Sequence, residues 1–276
     1  MTSECLSHQV ASTADGAIAC ADGTSQWITG PLARAHAQLL RAASQAILVG
    51  SGTALADAPR LTVRLPEEQV PTGWLPPRAN PLRILLDARG RVMGGPLLET
   101  KLAPTLVFTT AASRGNAARA AWAAAGVEVC EVAAETQWPL DETQAATSQT
   151  SRYHIRQPAG DETQAAGASA NGSGVSVGAL SDGGDGVALG AVLDELGARG
   201  IIQLMVEGGG AVHGAFLSTP GMAQQLRLYI GATALGSTSR RWIQAPIAST
   251  INEAPRWKLL DLERLGEDVC VDYALE

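Results

Sequence analysis

Residues 201–217 read IIQLMVEGGGAVHGAFL, and residues 46–59 read AILVGSGTALADAP. Each passes from a short apolar run into glycines. A continuous apolar run suits a strand covered on both faces. Glycines at its exit suit a tight turn that lets a ligand approach the backbone, and after Glu207 a helix N-terminus would add free N–H groups. Leu82–Asp87 (LRILLD), Thr105–Thr109 (TLVFT) and Val127–Val132 (VEVCEV) supply further runs of this kind. Helical patterns lie between them. Pro31–Ala43 opens on proline, Asn116–Ala125 stops at Gly126, and Val187–Ala198 carries Val187, Ala191, Leu193 and Leu196. Strands alternating with helices predict parallel pairing through crossover helices. From Gln225 the pattern changes. QLRLYIG (225–231), WKLLDL (257–262) and DVCVDY (268–273) follow one another with no long helix between them. The expected class is α/β: a mixed, mostly parallel sheet flanked by helices, with antiparallel C-terminal strands.

Composition narrows the function. Hydrophobic residues make up 46% of the 276 and charged residues 17%, enough apolar material for a real core. The net charge of −7 argues against a broad nucleic-acid surface, and no run approaches the roughly 20 apolar residues of a membrane span. Cys5, Cys20, Cys130 and Cys270 are scattered without a C-x-x-C pair, which disfavours structural zinc and points to a reduced compartment. No secretory signal is visible at the N-terminus, so the expected location is the cytoplasm, or a plastid in a photosynthetic eukaryote. Residues 135–186 are poor in large apolar side chains, and DETQAA occurs at both 141–146 and 161–166. That segment reads as a mobile surface insertion in a single domain spanning 1–276.

The two glycine turns are the strongest candidates for chemistry. Val206–Gly214 suits a phosphate but lacks the third glycine of the G-x-G-x-x-G pattern, which disfavours a standard Rossmann site. Glu207 ends the strand before it and either orients a polar ligand or caps neighbouring N–H groups. In Gly50–Pro59, Gly50, Gly52 and Thr53 could approach a second phosphate or a ribose, while Asp57 either binds a ligand or starts a turn. Two such turns at strand ends suggest a cofactor lying across the sheet edge. Arg41 and Arg64 suit a phosphorylated small molecule, although each alone reads more readily as solvated surface. Trp27 stacks on a planar ring or fills core, with packing the default, and His213 reads as a surface histidine. His8, His36, His154 and His213 have no metal-ligand spacing, and the G-x-S-x-G elbow of a serine hydrolase is absent.

In order along the chain, Asp15-Gly16, Ser25-Gln26-Trp27-Ile28-Thr29, Arg41, Ala46–Pro59, Leu61-Thr62-Val63-Arg64, Arg83–Asp87, Val206–Gly210 and Leu226–Gly236 resemble the reductase domain of riboflavin biosynthesis. In bacteria that domain is usually the C-terminal half of a bifunctional deaminase/reductase. The resemblance runs from about residue 8 to the C-terminus apart from 135–186. It implies a dihydrofolate-reductase-like fold, a homodimer, and NADPH-dependent reduction of 5-amino-6-(5-phosphoribosylamino)uracil to the ribitylamino compound. It places cofactor contacts on Ala11, Trp27, Thr53, Asp57, Ala88, Gly209, Gly210, Ala211, Val212, His213, Gly214 and Ala215. It places substrate contacts on Ser25, Arg41, Leu61, Arg64 and Glu207. Hydride would pass from the nicotinamide to C1 of the opened ribose, with Asp57 or Glu207 assisting a proton directly or through water.

Two positions depart from the family pattern. Gln9 stands where a lysine is usual and Ala14 where a leucine is usual. No His-x-Glu followed by Pro-Cys-x-x-Cys occurs, so deamination is expected from a separate protein. The competing expectations are a degenerate, non-catalytic domain serving as an assembly or regulatory partner, and a reductase of the same fold acting on another pterin- or pyrimidine-like substrate.

Overall fold

The structure is a computed structural model that describes residues 5–65, 80–135 and 186–275. The expected insertion, with both DETQAA strings and His154, lies outside the described residues except for its two end positions. Nine strands form one sheet. In chain order they are Cys5–Thr13 (β1), Ala46–Gly50 (β3), Leu82–Leu86 (β4), Thr105–Thr109 (β5), Glu128–Glu131 (β6), Gln203–Gly208 (β9), Gln225–Gly231 (β10), Trp257–Leu265 (β12) and Asp268–Leu275 (β13). Ala17–Ala19 (β2) pairs with Arg240–Arg241 (β11), and Ala134–Glu135 (β7) with Gly186–Val187 (β8), in two small side ladders. The helices are Pro31–Ala43 (α1), Ser51–Asp57 (α2), Ala117–Ala125 (α3), Leu189–Ala198 (α4) and Gly210–Leu217 (α5).

The sheet order is β12-β13-β10-β1-β9-β3-β4-β5-β6. All pairings from β10 to β6 are parallel, and β13 and β12 run antiparallel beyond β10. The expected class is therefore the observed one.

Strand β3 shows why its run is apolar throughout. Ala46 and Leu48 join one core cluster with α4 and α5, through Leu189, Val192, Leu196, Val212 and Phe216. Ile47 and Val49 join a second with Ala118 and Trp122 of α3. With both faces covered, alternation has no role. Trp122 is fully buried, and its indole N–H donates to the Val92 carbonyl at 2.8 Å. At the start of α3 the Asn116 side chain accepts from the Ala118 amide, and Gly126 ends the helix at φ +69°. At the start of α1, Pro31 follows Gly30, whose amide donates to Asp268 Oδ2 at 2.6 Å.

Two local expectations are corrected, and one strand is added that the sequence reading did not name. Ser51–Asp57 is a helix, not a loop. Val187 pairs with Ala134 in β8, so α4 starts two residues later and buries Leu189, Val192 and Leu196. Strand β1 lies inside the sheet although His8, Ser12 and Thr13 are polar, because all three are buried there. No helix among the described residues is long and apolar enough to cross a membrane. Cys20, Cys130 and Cys270 are free thiols.

Candidate active site

Parallel strands bring their C-terminal ends to one edge, where open α/β sheets bind ligands. The segments after β3, β4 and β9 meet there. The Gly209 amide donates to Thr53 Oγ1 at 2.8 Å, which joins the two glycine turns directly. Glycine is required at both strand exits. A Cβ at Gly50 would lie 2.7 Å from Val212 Cγ2. Gly208 has φ +91°, and a Cβ on it would lie 2.2 Å from His213 Nε2. The next helix, α5, begins at Gly210 with Gly209 as its N-cap and no side-chain cap. Its first amides are therefore free of a side-chain acceptor and suit an anion.

Within Gly209–Ala215, only Gly209 and Ala211 keep partial exposure. Val212 and Ala215 belong to the core, and Gly214 packs against Ala245. His213 is buried, not at the surface as expected, because α5 turns that face inward beneath the glycines. Contacts from this stretch would thus come mainly from the backbone of its first turn.

On the α1 side, Arg41 and Glu207 form a bidentate ion pair. Arg41 Nε donates to Glu207 Oε1 at 2.6 Å and Nη2 to Oε2 at 2.7 Å. Their side chains are 15% and 11% exposed. Burial opposes the guanidinium charge, but the adjacent carboxylate outweighs it, so the Arg41 pKa is raised. Glu207, read from the sequence as meeting a ligand or backbone amides, binds an arginine 166 positions away. Arg41 Nη1 also donates to the Thr62 carbonyl at 3.4 Å. That contact anchors the segment carrying Leu61 and Arg64. Leu61 sits at φ +50° with its side chain in the core, and Ala58 at φ +43° ends α2. Two non-glycine residues in the left-handed region within four positions mark a constrained loop beside Arg41. Arg64 is exposed, and its amide donates to Gln38 Oε1 at 2.9 Å.

Asp57 ends α2. Desolvation raises its carboxyl pKa, against the opposing field of Arg240. Trp27 is 70% exposed and lies under the Arg34 guanidinium at 4.3 Å, which corrects the packing default. Ser25 in the same segment is half-buried. Ala11 packs with Tyr229 and Ala33 on the α1 face. Ala88 follows Asp87, whose carboxylate accepts from the Arg91 and Val92 amides and so shapes the turn after β4.

One anchor, Asp15, entered the sequence reading only as part of the family motif Asp15-Gly16. Asp15 accepts from the Thr13 hydroxyl and from the Gly236 amide at 2.7 Å, tying the end of β1 to the loop after β10. These bonds lower its carboxyl pKa from 3.8 to about 2. A lowered pKa in the fold stabilises the folded form above the ordinary carboxyl pKa. That contribution is lost as pH falls from about 4 through about 2. Asp15→Asn should therefore unfold at lower urea than the parent at pH 7, and the gap should close towards pH 2. An equal gap at both pH values would contradict this assignment. The segment 241–244 had no sequence signal: the Arg241 carbonyl and Gln244 side chain press on Gly210 at the start of α5.

The sequence profile of the RibD C-terminal domain matches residues 5–271. The chain is 30% identical over 260 residues to the riboflavin biosynthesis protein RibD of Escherichia coli, covering 93% of this chain and 56% of that protein. It thus spans about half the length of that relative. Among solved structures it is similar to a diaminohydroxyphosphoribosylaminopyrimidine deaminase/5-amino-6-(5-phosphoribosylamino)uracil reductase from Thermotoga maritima. There the TM-score is 0.65 and the identity 24%, over 99% of this chain and 57% of the other. It is also similar to the yeast riboflavin biosynthesis reductase Rib7, at TM-score 0.59 and 18% identity, over 100% of this chain and 91% of the other.

Proposed function

The chain belongs to the RibD C-terminal domain family, and from that premise we propose that it reduces 5-amino-6-(5-phosphoribosylamino)uracil to the ribitylamino compound with NADPH. The observation that carries this reading is the Gly209–Thr53 hydrogen bond. It joins both glycine turns at the strand ends, where the uncapped α5 amides and the Arg41–Glu207 pair also lie. Those amides, Thr53 and the exposed Trp27 fit a dinucleotide's phosphates, ribose and flat ring. The nicotinamide supplies the hydride when bound. The chain's own residues then align C1 of the sugar and deliver a proton. Both oxygens of Glu207 are engaged by Arg41, so Glu207 orients the substrate by holding that guanidinium. Asp57, whose carboxyl is raised by desolvation, supplies the proton. Arg64, exposed beside the anchored loop, meets the substrate phosphate.

The test is loss of NADPH absorbance with the ribosylaminouracil phosphate as acceptor. Turnover is expected. No turnover from folded protein would refute this activity in favour of a non-catalytic role, and preference for another pyrimidine or pterin would reassign the substrate.

We extend the proposal to a homodimer through β12, an edge strand with Leu259, Leu260 and Leu262 exposed. Light scattering should report twice the 28.5 kDa chain mass. We also propose one reductase domain interrupted by an insertion. Glu135 and Gly186 are register partners in an antiparallel pair, a geometry that a two-residue Asn-Gly turn closes. Replacing residues 136–185 with Asn-Gly should leave a soluble, cooperatively unfolding protein; insoluble protein would show that the segment is structural.

A further inference from the structure

Below the glycine turn lie two imidazoles that the reaction as proposed does not use. His8 in β1 is 0% exposed and His213 in α5 is 2% exposed. Their Nδ1 atoms are 2.8 Å apart, so one ring donates and the other accepts. Desolvation keeps both neutral: it drives His213 down to about 3, and with the nearby His213 it drives His8 well below its ordinary value.

The tautomers follow from one orphaned atom. His8 Nε2 is buried without a hydrogen-bond partner among the described residues. A buried lone pair costs less unpaired than a buried N–H. His8 therefore carries its proton on Nδ1 and donates it to His213, which carries its own on Nε2. The surroundings do not compete. Val206 and Leu226 flank His8 on the neighbouring strands. Phe216 meets it edge-on at 5.6 Å, and Trp242 meets His213 at 6.2 Å. Neither ring has a carboxylate or guanidinium bonded to it among the described residues.

His213 in turn occupies the space where a side chain on Gly208 would stand. Gly208 precedes Gly209, and Gly209 holds Thr53. The contacts run unbroken from β1 to Thr53. We infer that His8 is a positioning residue for the cofactor turn: its hydrogen bond fixes the tautomer and plane of His213, and that ring holds Gly208 and Gly209 in the shape that meets Thr53. This rests on the reading of the turn as the NADPH grip.

The experiment compares His8→Leu with His8→Asn in the full chain, since asparagine keeps a donor near the place of Nδ1. His8→Leu should raise KM for NADPH about tenfold with kcat within about threefold. It should also speed hydrogen exchange at the Gly209 amide in cofactor-free protein. His8→Asn should recover most of both effects. Unchanged KM and exchange in folded His8→Leu, or equal losses in the two variants, would overturn the inference. If the parent protein does not oxidise NADPH, the proposed activity falls, while Gly209 exchange still decides the positioning claim. If His8→Leu does not fold, nitrogen shifts of the parent imidazoles decide: protonated His8 Nδ1 and His213 Nε2 support the inference, and the reverse tautomers refute it.

Discussion

Glu207→Gln should lower kcat/KM for the ribosylaminouracil phosphate about a hundredfold while moving KM for NADPH less than about threefold. The carboxylate holds the Arg41 guanidinium through two parallel bonds at 2.6 and 2.7 Å, largely out of water. Glutamine keeps the size but offers one acceptor and no charge. Arg41 is then left charged and half-partnered beside the substrate, and stability should fall by about 2 kcal/mol. Arg41→Lys should fall between the two enzymes, because an ammonium cannot reproduce the fork. Steady-state kinetics on both substrates, with urea midpoints, separate these effects. Equal changes in both KM values would place Glu207 outside the substrate's reach.

The second large effect concerns Arg83. Its side chain is fully buried in β4 and donates to four main-chain carbonyls: Arg60 at 3.3 Å, Pro96 at 2.8 Å, Glu99 at 3.1 Å and Ala103 at 2.6 Å. Burial lowers its pKa, against the field of Glu99. Arg83→Leu removes every one of those donors at once and should cost about 3–5 kcal/mol, read as a lower urea midpoint at unchanged m-value. The Arg60 carbonyl adjoins Leu61, so the substrate loop should loosen too, and KM for the phosphorylated substrate should rise. A loss below about 1 kcal/mol would mean that water replaces the guanidinium without strain.

Most of the sheet was legible because burial leaves a compositional mark. Ala46–Gly50, Thr105–Thr109 and Gln225–Gly231 begin and end where their apolar runs do. Strand β1 has no such mark, since polar Ser7, His8, Gln9, Ser12 and Thr13 interrupt it and are accommodated only by neighbours far along the chain. Helix α2 was hidden by Gly52 and Thr53, weak helix formers in a segment of seven residues. At the site, the glycine turns announced themselves through spacing. The bond between Arg41 and Glu207 and the pairing of His8 with His213 did not, because each joins residues more than 160 positions apart. Trp27 was misplaced because an aromatic ring looks alike in sequence whether it faces core or solvent.

The β7–β8 ladder has an evolutionary consequence. Its two strands leave the body side by side, so extra chain added between them never stretches the sheet, and the entropic penalty of lengthening grows only logarithmically. Tags, reporters or whole modules spliced in at this corner should therefore leave the nine-stranded sheet as it stands.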